Sequence, residues 1–168
     1  MSDLLYHAYF PKSHEFHVSQ QEVMNSGIKY STKSNHRYSN GGRVKLEITE
    51  NLRPSDIPKW INFKEAIGAD INNRFSESFC FPIFTDKIFV FDSEISLSIY
   101  DQAFYEDMKE FDEEALNFDT GETIDYWIEQ YWKSMIPLKD YLRKRPYPEP
   151  EVLIFEPVPK EIISFCEE

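Results

Sequence analysis

The chain has 168 residues and a formal net charge of −12, with 41% hydrophobic, 29% charged and 16% aromatic residues. This length suits one folded domain, and the hydrophobic content excludes intrinsic disorder because it supplies enough apolar surface for a core. The longest apolar runs are far shorter than the roughly 20 residues of a membrane-spanning helix, so a membrane protein is excluded as well.

The first predicted element is a β-strand. Residues 4–10 combine leucine, tyrosine, alanine and phenylalanine and stop at Pro11, which predicts a strand with His7 in its middle. The residues before this strand lack the basic stretch and the long apolar stretch of a secretory signal. We therefore expect a cytoplasmic location.

A short helix is predicted next. Ser19 and Glu22 have the spacing of a capping box, in which each side chain accepts a hydrogen bond from a free backbone N–H group. Gly27 can end the helix because glycine readily adopts a left-handed conformation. These signals predict a helix over residues 19–26.

The middle of the chain predicts a loop, a helix and several strands. The polar and basic stretch 30–42 predicts an exposed loop, and the alternating residues of 44–48 predict a strand with one wet face. Pro58, apolar residues at helical spacing and Gly68 together predict a helix over 57–67. Two aromatic-rich runs within 75–91 predict a pair of buried strands.

The last third of the chain begins with an acidic segment. Residues 101–119 mix acidic with aromatic residues and predict an acidic helical insertion. Residues 124–135 follow helical spacing with Thr123 as N-cap. A proline-rich connector, a last strand over 151–155 and a helix over 159–165 complete the prediction. This mixed order of elements predicts a single α+β domain, with a mixed or antiparallel central sheet and flanking helices.

The cysteines and histidines do not predict a metal site. Cys80 and Cys166 lie among aromatic or aliphatic neighbours, which favours two small buried hydrophobic residues over a disulfide. His14 and His17 have the spacing of two metal ligands on a helix, but no third ligand accompanies them. We therefore expect surface histidines.

Common catalytic motifs are absent from the sequence. Neither a dinucleotide-binding glycine motif nor a phosphate-binding loop occurs. A Gly-x-Ser-x-Gly elbow is also missing, which argues against a serine hydrolase of that type.

Two segments resemble ADP-ribosyltransferases of the His-Tyr-Glu type and the DarT-like toxins. The first runs from LLYHA at residues 4–8, through the short helix and NSGI at 25–28, to Tyr30 and Ser31. It is similar to the opening of those enzymes. The second runs from PEVLI at 150–154 into VPKEII at 158–163 and is similar to their last strand, where a glutamate opens an aliphatic run.

The resemblance implies a split sheet with a cleft for NAD, which is the co-substrate of these enzymes. Glu151 matches the catalytic glutamate, whose carboxylate stabilises the positive charge that builds on the ribose as nicotinamide leaves. His7 matches the histidine that binds the NAD ribose. Tyr30 matches the aromatic residue that stacks on nicotinamide, and Tyr38 is nearly as well placed.

DarT-like members also use an arginine near the reacting centre. Arg74 is one candidate for it and Arg37 is another, and the sequence does not choose between them. The resemblance thus implies transfer of ADP-ribose to a macromolecular acceptor, either nucleic acid or protein, in a toxin or defence system.

The acidic segment predicts an alternative function. A non-catalytic interaction protein, of the immunity or inhibitor type, would use residues 101–119 to bind a basic protein partner. Opposite charge speeds the encounter of two proteins, and aromatic residues often dominate the binding energy of interfaces. An acidic helix face is also common as an ordinary solvated surface, and His7, Tyr30 and Glu151 can equally be structural residues.

Overall fold

The structure, a computed structural model, describes residues 3–35, 50 and 52–167. It confirms an α+β fold, built on two antiparallel sheets. The strands are β1 (Leu4–Ala8), β2 (Ile67–Ala69), β3 (Glu77–Pro82), β4 (Ile88–Asp92), β5 (Ile136–Pro137), β6 (Pro150–Ile154) and β7 (Ser164–Glu167). The first sheet has the order β1-β3-β7 and the second has the order β2-β6-β4-β5.

Helices pack against the strands and contribute side chains to the core. In the described residues the α-helices are α1 (Gln20–Ser26), α2 (Ser93–Met108), α3 (Ile124–Lys133) and α4 (Leu138–Lys144). Short 3-10 segments lie at Phe63–Glu65, Glu113–Phe118 and Lys160–Ile162. None of the described helices is long and apolar enough to cross a membrane.

Strand β6 is buried on both faces. Val152 and Ile154 belong to a core shared with the first sheet. Leu153 and Phe155 belong to a second core, which lies beneath α2 and α3. Successive side chains of a strand point to opposite faces, so this one strand contributes to both cores.

The two sheets meet where β1 touches β2. Tyr6 and Asp70 exchange backbone hydrogen bonds of 2.9 and 2.8 Å. On its other side β2 pairs with β6, with Ala69 opposite Val152. Strand β2 therefore lies between the strand of His7 and the strand of Glu151.

Several predicted elements are confirmed where the sequence signal is local. The side chain of Ser19 accepts a hydrogen bond from the Glu22 N–H group at the start of α1, and Thr123 caps α3 in the same way. Gly27 has a φ of 72°, and a Cβ atom there would lie 2.4 Å from the Val158 carbonyl oxygen. Glycine is therefore required at the end of α1 for both conformation and space. The predicted strand 44–48 lies outside the described residues.

The two aromatic strands predicted within 75–91 are confirmed as β3 and β4, but they belong to different sheets. Strand β3 lies between β1 and β7, whereas β4 lies between β6 and β5. The chain passes from one sheet to the other across the turn at 83–87.

The predicted helix over 57–67 is wrong. This stretch forms turns and the 3-10 segment Phe63–Glu65, and Ile67 already belongs to β2. The Arg53 guanidinium donates hydrogen bonds to the carbonyl oxygens of Pro58, at 2.5 Å, and Ile61, at 2.6 Å. These contacts satisfy carbonyl groups that a helix would pair internally, so side-chain bonding here outweighs the helical spacing.

The predicted C-terminal helix over 159–165 is also largely wrong. Only Lys160–Ile162 forms a helical turn, of the 3-10 type, and β7 then pairs with β3. The strand predicted over 151–155 is confirmed as β6, but it is not the last strand. The C-terminal residues form a strand because the edge of β3 has backbone N–H and C=O groups that need hydrogen-bond partners, and β7 supplies them.

The prediction of two unpaired cysteines is wrong as well. Cys80 of β3 and Cys166 of β7 form a disulfide across 86 residues of sequence. Strand pairing places Cys166 opposite Ser78, two residues from Cys80. The neighbours of each cysteine in sequence carry no information on this long-range pairing.

We expect the disulfide to stabilise the fold by tying the C-terminal strand to the first sheet. Reduction, or the substitution Cys166→Ser, should lower the free energy of unfolding by about 2–4 kcal/mol, because a long loop is released in the unfolded chain. Urea unfolding with and without reductant measures this difference. An unchanged midpoint would contradict a stabilising role.

A pair of tyrosines fastens the connector between α4 and β6. The Tyr141 hydroxyl donates to the Tyr147 carbonyl at 2.5 Å, and the Tyr147 hydroxyl donates to the Ser134 carbonyl at 2.5 Å. Burial raises the pKa of both phenols above the ordinary value of 10.0, and the nearby Asp92 carboxylate raises it further. Both phenols therefore favour the neutral state in the folded protein.

This pKa shift predicts a loss of stability at alkaline pH. Above about pH 10 the unfolded tyrosines ionise while the folded ones stay neutral, so the free energy of unfolding should fall as pH rises. The Tyr141→Phe, Tyr147→Phe variant should be less stable at neutral pH, since two hydrogen bonds are lost, yet show a flatter alkaline decline. Chemical unfolding from pH 8 to pH 12 tests this, and parallel curves would refute it.

Candidate functional sites

His7 is buried and fully positioned by its neighbours. Only 3% of its surface is exposed. Its Nδ1 lies 2.8 Å from the Gly68 carbonyl oxygen and its Nε2 lies 2.8 Å from the Ser34 hydroxyl. Because a carbonyl can only accept, we assign the proton to Nδ1, and the Ser34 hydroxyl then donates to Nε2.

The loop before residue 36 is held against β2 by Asn35. Its side-chain amide nitrogen donates 2.9 Å hydrogen bonds to the carbonyls of Tyr30 and Ala66, and its oxygen accepts one from the Gly68 N–H group at 3.0 Å. Asn35 and Ser34 are both buried. Together with His7 they fix this loop to the junction of the two sheets.

A cavity of about 180 Å³ lies beside His7. Its lining comes from β1, β2 and two loops: Tyr6, His7, Ala8, Ser34, Asn35, Gly68, Ala69, Asp70 and Phe75. Sites for drug-sized ligands usually measure about 300–1,000 Å³. The space bounded by these residues is therefore smaller than a dinucleotide requires.

Glu151 is half-buried and lies on a different face of the structure from His7. The Tyr131 hydroxyl of α3 donates a hydrogen bond to its carboxylate. Glu151 shares its face of β6 with Leu153, toward the second core, whereas His7 shares its face of β1 with Leu5, toward the first core. Glu151 does not line the cavity beside His7.

The other residues implied by the resemblance are spread around this region. Tyr30 is 45% exposed and does not line the cavity. The Arg74 guanidinium contacts Asp70, which lines the cavity, at 3.3 Å, and Glu149, two residues before Glu151, at 3.4 Å. Arg74 thus lies between the cavity and β6. Tyr38 and Arg37 lie outside the described residues.

Sequence reasoning missed the polar residues that line the cavity beside His7. Ser34, Asn35 and Asp70 come from a polar loop and from the end of a strand that was not predicted. Nothing in their local sequence distinguishes them from solvated residues. The signal exists only after folding, when Ser34 and Gly68, which are 27 and 61 residues from His7 in the sequence, come within hydrogen-bonding distance of it.

The negative charge of the chain is concentrated on one side of the second core. Residues 93–132 hold 12 of the 30 acidic residues but only one of the 18 basic residues, Lys109, and so carry 11 of the 12 net negative charges. The rest of the chain is almost neutral. This segment comprises α2, the Glu113–Phe118 segment and α3.

The same segment exposes an unusual amount of apolar surface. Of the ten large hydrophobic side chains that are exposed among the described residues, six lie here: Leu97 (60%), Phe104 (38%), Phe111 (80%), Leu116 (57%), Phe118 (41%) and Tyr126 (39%). We call these six residues, with the acidic residues of 101–125 around them, the acidic-aromatic surface. Exposed apolar clusters of this kind commonly mark interaction sites.

The backbone beneath this surface is firmly held. Gln102 is buried, and its carbonyl oxygen accepts hydrogen bonds from the N–H group and the hydroxyl of Thr120, at 2.9 and 2.7 Å. The Trp127 indole donates to the same hydroxyl at 2.7 Å. These bonds join α2, the following loop and α3, so the surface is preorganised.

The acidic residues of the surface are available for binding. Within the described part of the chain, the carboxylates of residues 101–125 form no ion pair. Lys109 lies over the Tyr105 ring, 5.4 Å from its centre. The surface therefore presents largely uncompensated negative charge.

The histidines considered as metal ligands have other partners. His17 Nδ1 donates to the Phe10 carbonyl at 2.8 Å, and His14 Nδ1 accepts from the Phe16 N–H group at 3.1 Å. In the described ranges, no cluster of three or more histidine, cysteine, aspartate or glutamate residues is suited to holding a metal ion.

No family model, no curated protein and no solved structure matches the chain. Function must therefore be inferred from the chain's own residues.

Proposed function

We propose that this chain is a protein-interaction module, of the immunity or inhibitor type, that binds a basic protein partner through the acidic-aromatic surface. The observation that carries the proposal is the coincidence of two properties in one segment. Residues 93–132 hold 11 of the 12 net negative charges and six of the ten exposed large apolar side chains among the described residues.

The two properties have different roles in binding. Unpaired carboxylates attract a positive partner over distance and favour the correct partner over others. Exposed aromatic and leucine side chains supply binding energy once water is excluded from them. A preorganised backbone lowers the entropy that binding would otherwise cost.

The sign of the charge limits the class of partner. Nucleic acid and acidic proteins would be repelled by this segment, because each brings further negative charge. A protein surface rich in lysine or arginine complements it. The concentration of charge on one side of the molecule also makes the attraction directional.

Neutralising part of the surface should weaken capture of the partner. The test variant is Glu110→Gln, Asp112→Asn, Glu113→Gln, Glu114→Gln. The control, Glu15→Gln, Asp56→Asn, Glu65→Gln, Glu161→Gln, makes the same chemical changes at exposed sites elsewhere. A partner captured from native lysate, identified and purified should bind the test variant about tenfold more weakly or worse at low salt, since exposed pairs contribute about 0.2–1 kcal/mol each.

Salt provides a second readout of the same experiment. Wild type and control should lose affinity steeply as salt rises, and the test variant should show a shallower dependence, because fewer charges are screened. Equal weakening of both variants would mean that only total charge matters. Unchanged binding by the test variant would remove the acidic residues from the interface.

NAD-dependent ADP-ribosyl transfer is the second candidate function. Its support is the arrangement of strands and one ion pair. Strand β2 alone separates β1, with His7, from β6, with Glu151. Arg74 contacts both Asp70 at the His7 cavity and Glu149 beside β6. These contacts bring Arg74 to the edge of the His7 cavity and to the residue two positions before Glu151, while Glu151 itself lies on the face of β6 toward the second core and does not line the cavity.

If the chain is a transferase, NAD binding must change the conformation of the site. The cavity beside His7 would have to enlarge, and the Glu151 carboxylate would have to leave the Tyr131 hydroxyl to reach the ribose. The acceptor would be a macromolecule, in a toxin or defence system. These requirements make the geometry less favourable to catalysis than to binding.

Release of nicotinamide from NAD distinguishes the second candidate from the first. A transferase should release it in the presence of cell extract as a source of acceptor. Glu151→Gln should slow the release by about 100-fold or more, because one charge-stabilising group is lost. Glu161→Gln is the control, and unfolding curves check that all three proteins fold. Wild-type protein without activity, or equal rates in all three, would eliminate the candidate.

The location of the protein bears on both candidates. The cytoplasmic location expected from the N-terminal residues stays a prediction. The Cys80–Cys166 disulfide is more typical of proteins in oxidising compartments.

A further inference from the structure

Two apolar residues of the acidic-aromatic surface form a stripe along α2. Leu97 and Phe104 are seven residues apart on α2, which places them on one side of the helix, about 10.5 Å apart. Ser96, Ile99 and Gln102 form the buried side of the same helix. The stripe therefore lies on the side of α2 opposite to the one that packs on the second core.

A second apolar row lies beside this stripe. The Phe118 ring meets the Phe104 ring edge to face, with centres 4.9 Å apart. Leu116 is exposed in the same 3-10 segment, which packs alongside α2. The two rows form an apolar shelf two helical turns long or more, with Phe111 exposed beyond its end.

The backbone of this region determines which secondary structure a segment bound to the shelf can have. In α2, α3 and the 3-10 segment, backbone groups pair mostly within the helices, so the shelf offers no strand edge. An extended segment bound here would leave its own N–H and C=O groups without partners where water is excluded. A helix satisfies those groups internally and packs side chains against the shelf.

The charge around the shelf determines which side chains should flank the apolar stripe of a bound helix. Asp101 lies between Leu97 and Phe104, and Asp107 and Glu110 lie toward the far end. A helix with lysine or arginine beside its apolar stripe would place cations next to these carboxylates. A second copy of this chain is disfavoured, because it would bring a further 11 negative charges to the contact.

We infer that the acidic-aromatic surface binds an amphipathic helix of the partner, with apolar residues at heptad spacing and lysine or arginine on their flanks. This inference rests on the proposed interaction function and specifies the element that is recognised. It requires both the apolar stripe of α2 and the surrounding carboxylates.

Two synthetic peptides of identical composition, made of leucine, lysine and alanine, test the inference. In one the leucines repeat with helical periodicity, and in the other they alternate with polar residues as in a strand. Fluorescence anisotropy with the full chain should show at least about tenfold tighter binding of the helical peptide, a difference of about 1.4 kcal/mol. Circular dichroism should show that this peptide gains helix on binding.

Matched variants locate the binding site. Leu97→Gln, Phe104→Gln should weaken the helical peptide about tenfold, as expected for removal of central apolar contacts. Leu52→Gln, Tyr30→Gln changes two other exposed apolar residues and should leave binding unchanged. Thermal unfolding checks that each variant folds.

The outcomes separate the inference from the proposed function. If both peptides bind equally and neutralisation of Glu110, Asp112, Glu113 and Glu114 weakens both, the surface binds basic chains but the helix inference fails. If neither peptide binds, or the same neutralisation has no effect, both fail. A dimer in sedimentation that Phe104→Gln disrupts would assign the shelf to a second copy and overturn the inference.

Discussion

Burial of β6 on both faces is the constraint from which the arrangement of this molecule follows. Val152 and Ile154 need cover on one face, and Leu153 needs it on the other. The first sheet supplies the cover on one side, and α2 and α3 supply it on the other. Because these helices have to bury one face against β6, their remaining face is committed to solvent or to a partner.

The polar groups of the two candidate sites differ in one physical respect. His7, Ser34 and Asn35 are buried, and the described contacts satisfy their side chains. Satisfied buried groups of this kind hold a fold together. Within the described chain, the carboxylates of the acidic-aromatic surface form no ion pair, and its large apolar side chains are exposed. Binding energy is available where groups gain new contacts, which favours that surface as the functional one.

Local signals in the sequence were sufficient for part of the fold. The caps at Ser19 and Thr123, and the apolar spacing of α3, depend on residues within a turn or two of each other, and these elements are confirmed. The prediction of a helix over 57–67 was wrong, because the Arg53 side chain donates hydrogen bonds to backbone carbonyl groups of this stretch. The C-terminal strand and the disulfide were not predicted, because both depend on pairing with β3, which is distant in sequence.

The candidate sites show the same division. The acidic and aromatic composition of 101–119 is evident from the sequence. Which of its apolar side chains are exposed is not, because opposite faces of α2 both carry apolar residues. Ile99 is buried and Leu97 is exposed, although both are aliphatic residues of similar hydrophobicity. The two hydrogen-bond partners of His7 come from two separate segments, the loop that holds Ser34 and strand β2, and no single-sequence pattern brings them together.

The most direct test of the central claim is a map of backbone amide chemical shifts during titration of the full chain with the helical lysine-leucine peptide. The account predicts changes concentrated in α2, the Glu113–Phe118 segment and the start of α3, with the amides around His7 and Glu151 unaffected. Changes centred on β1, β2 and β6, or changes spread evenly over the molecule, would contradict it.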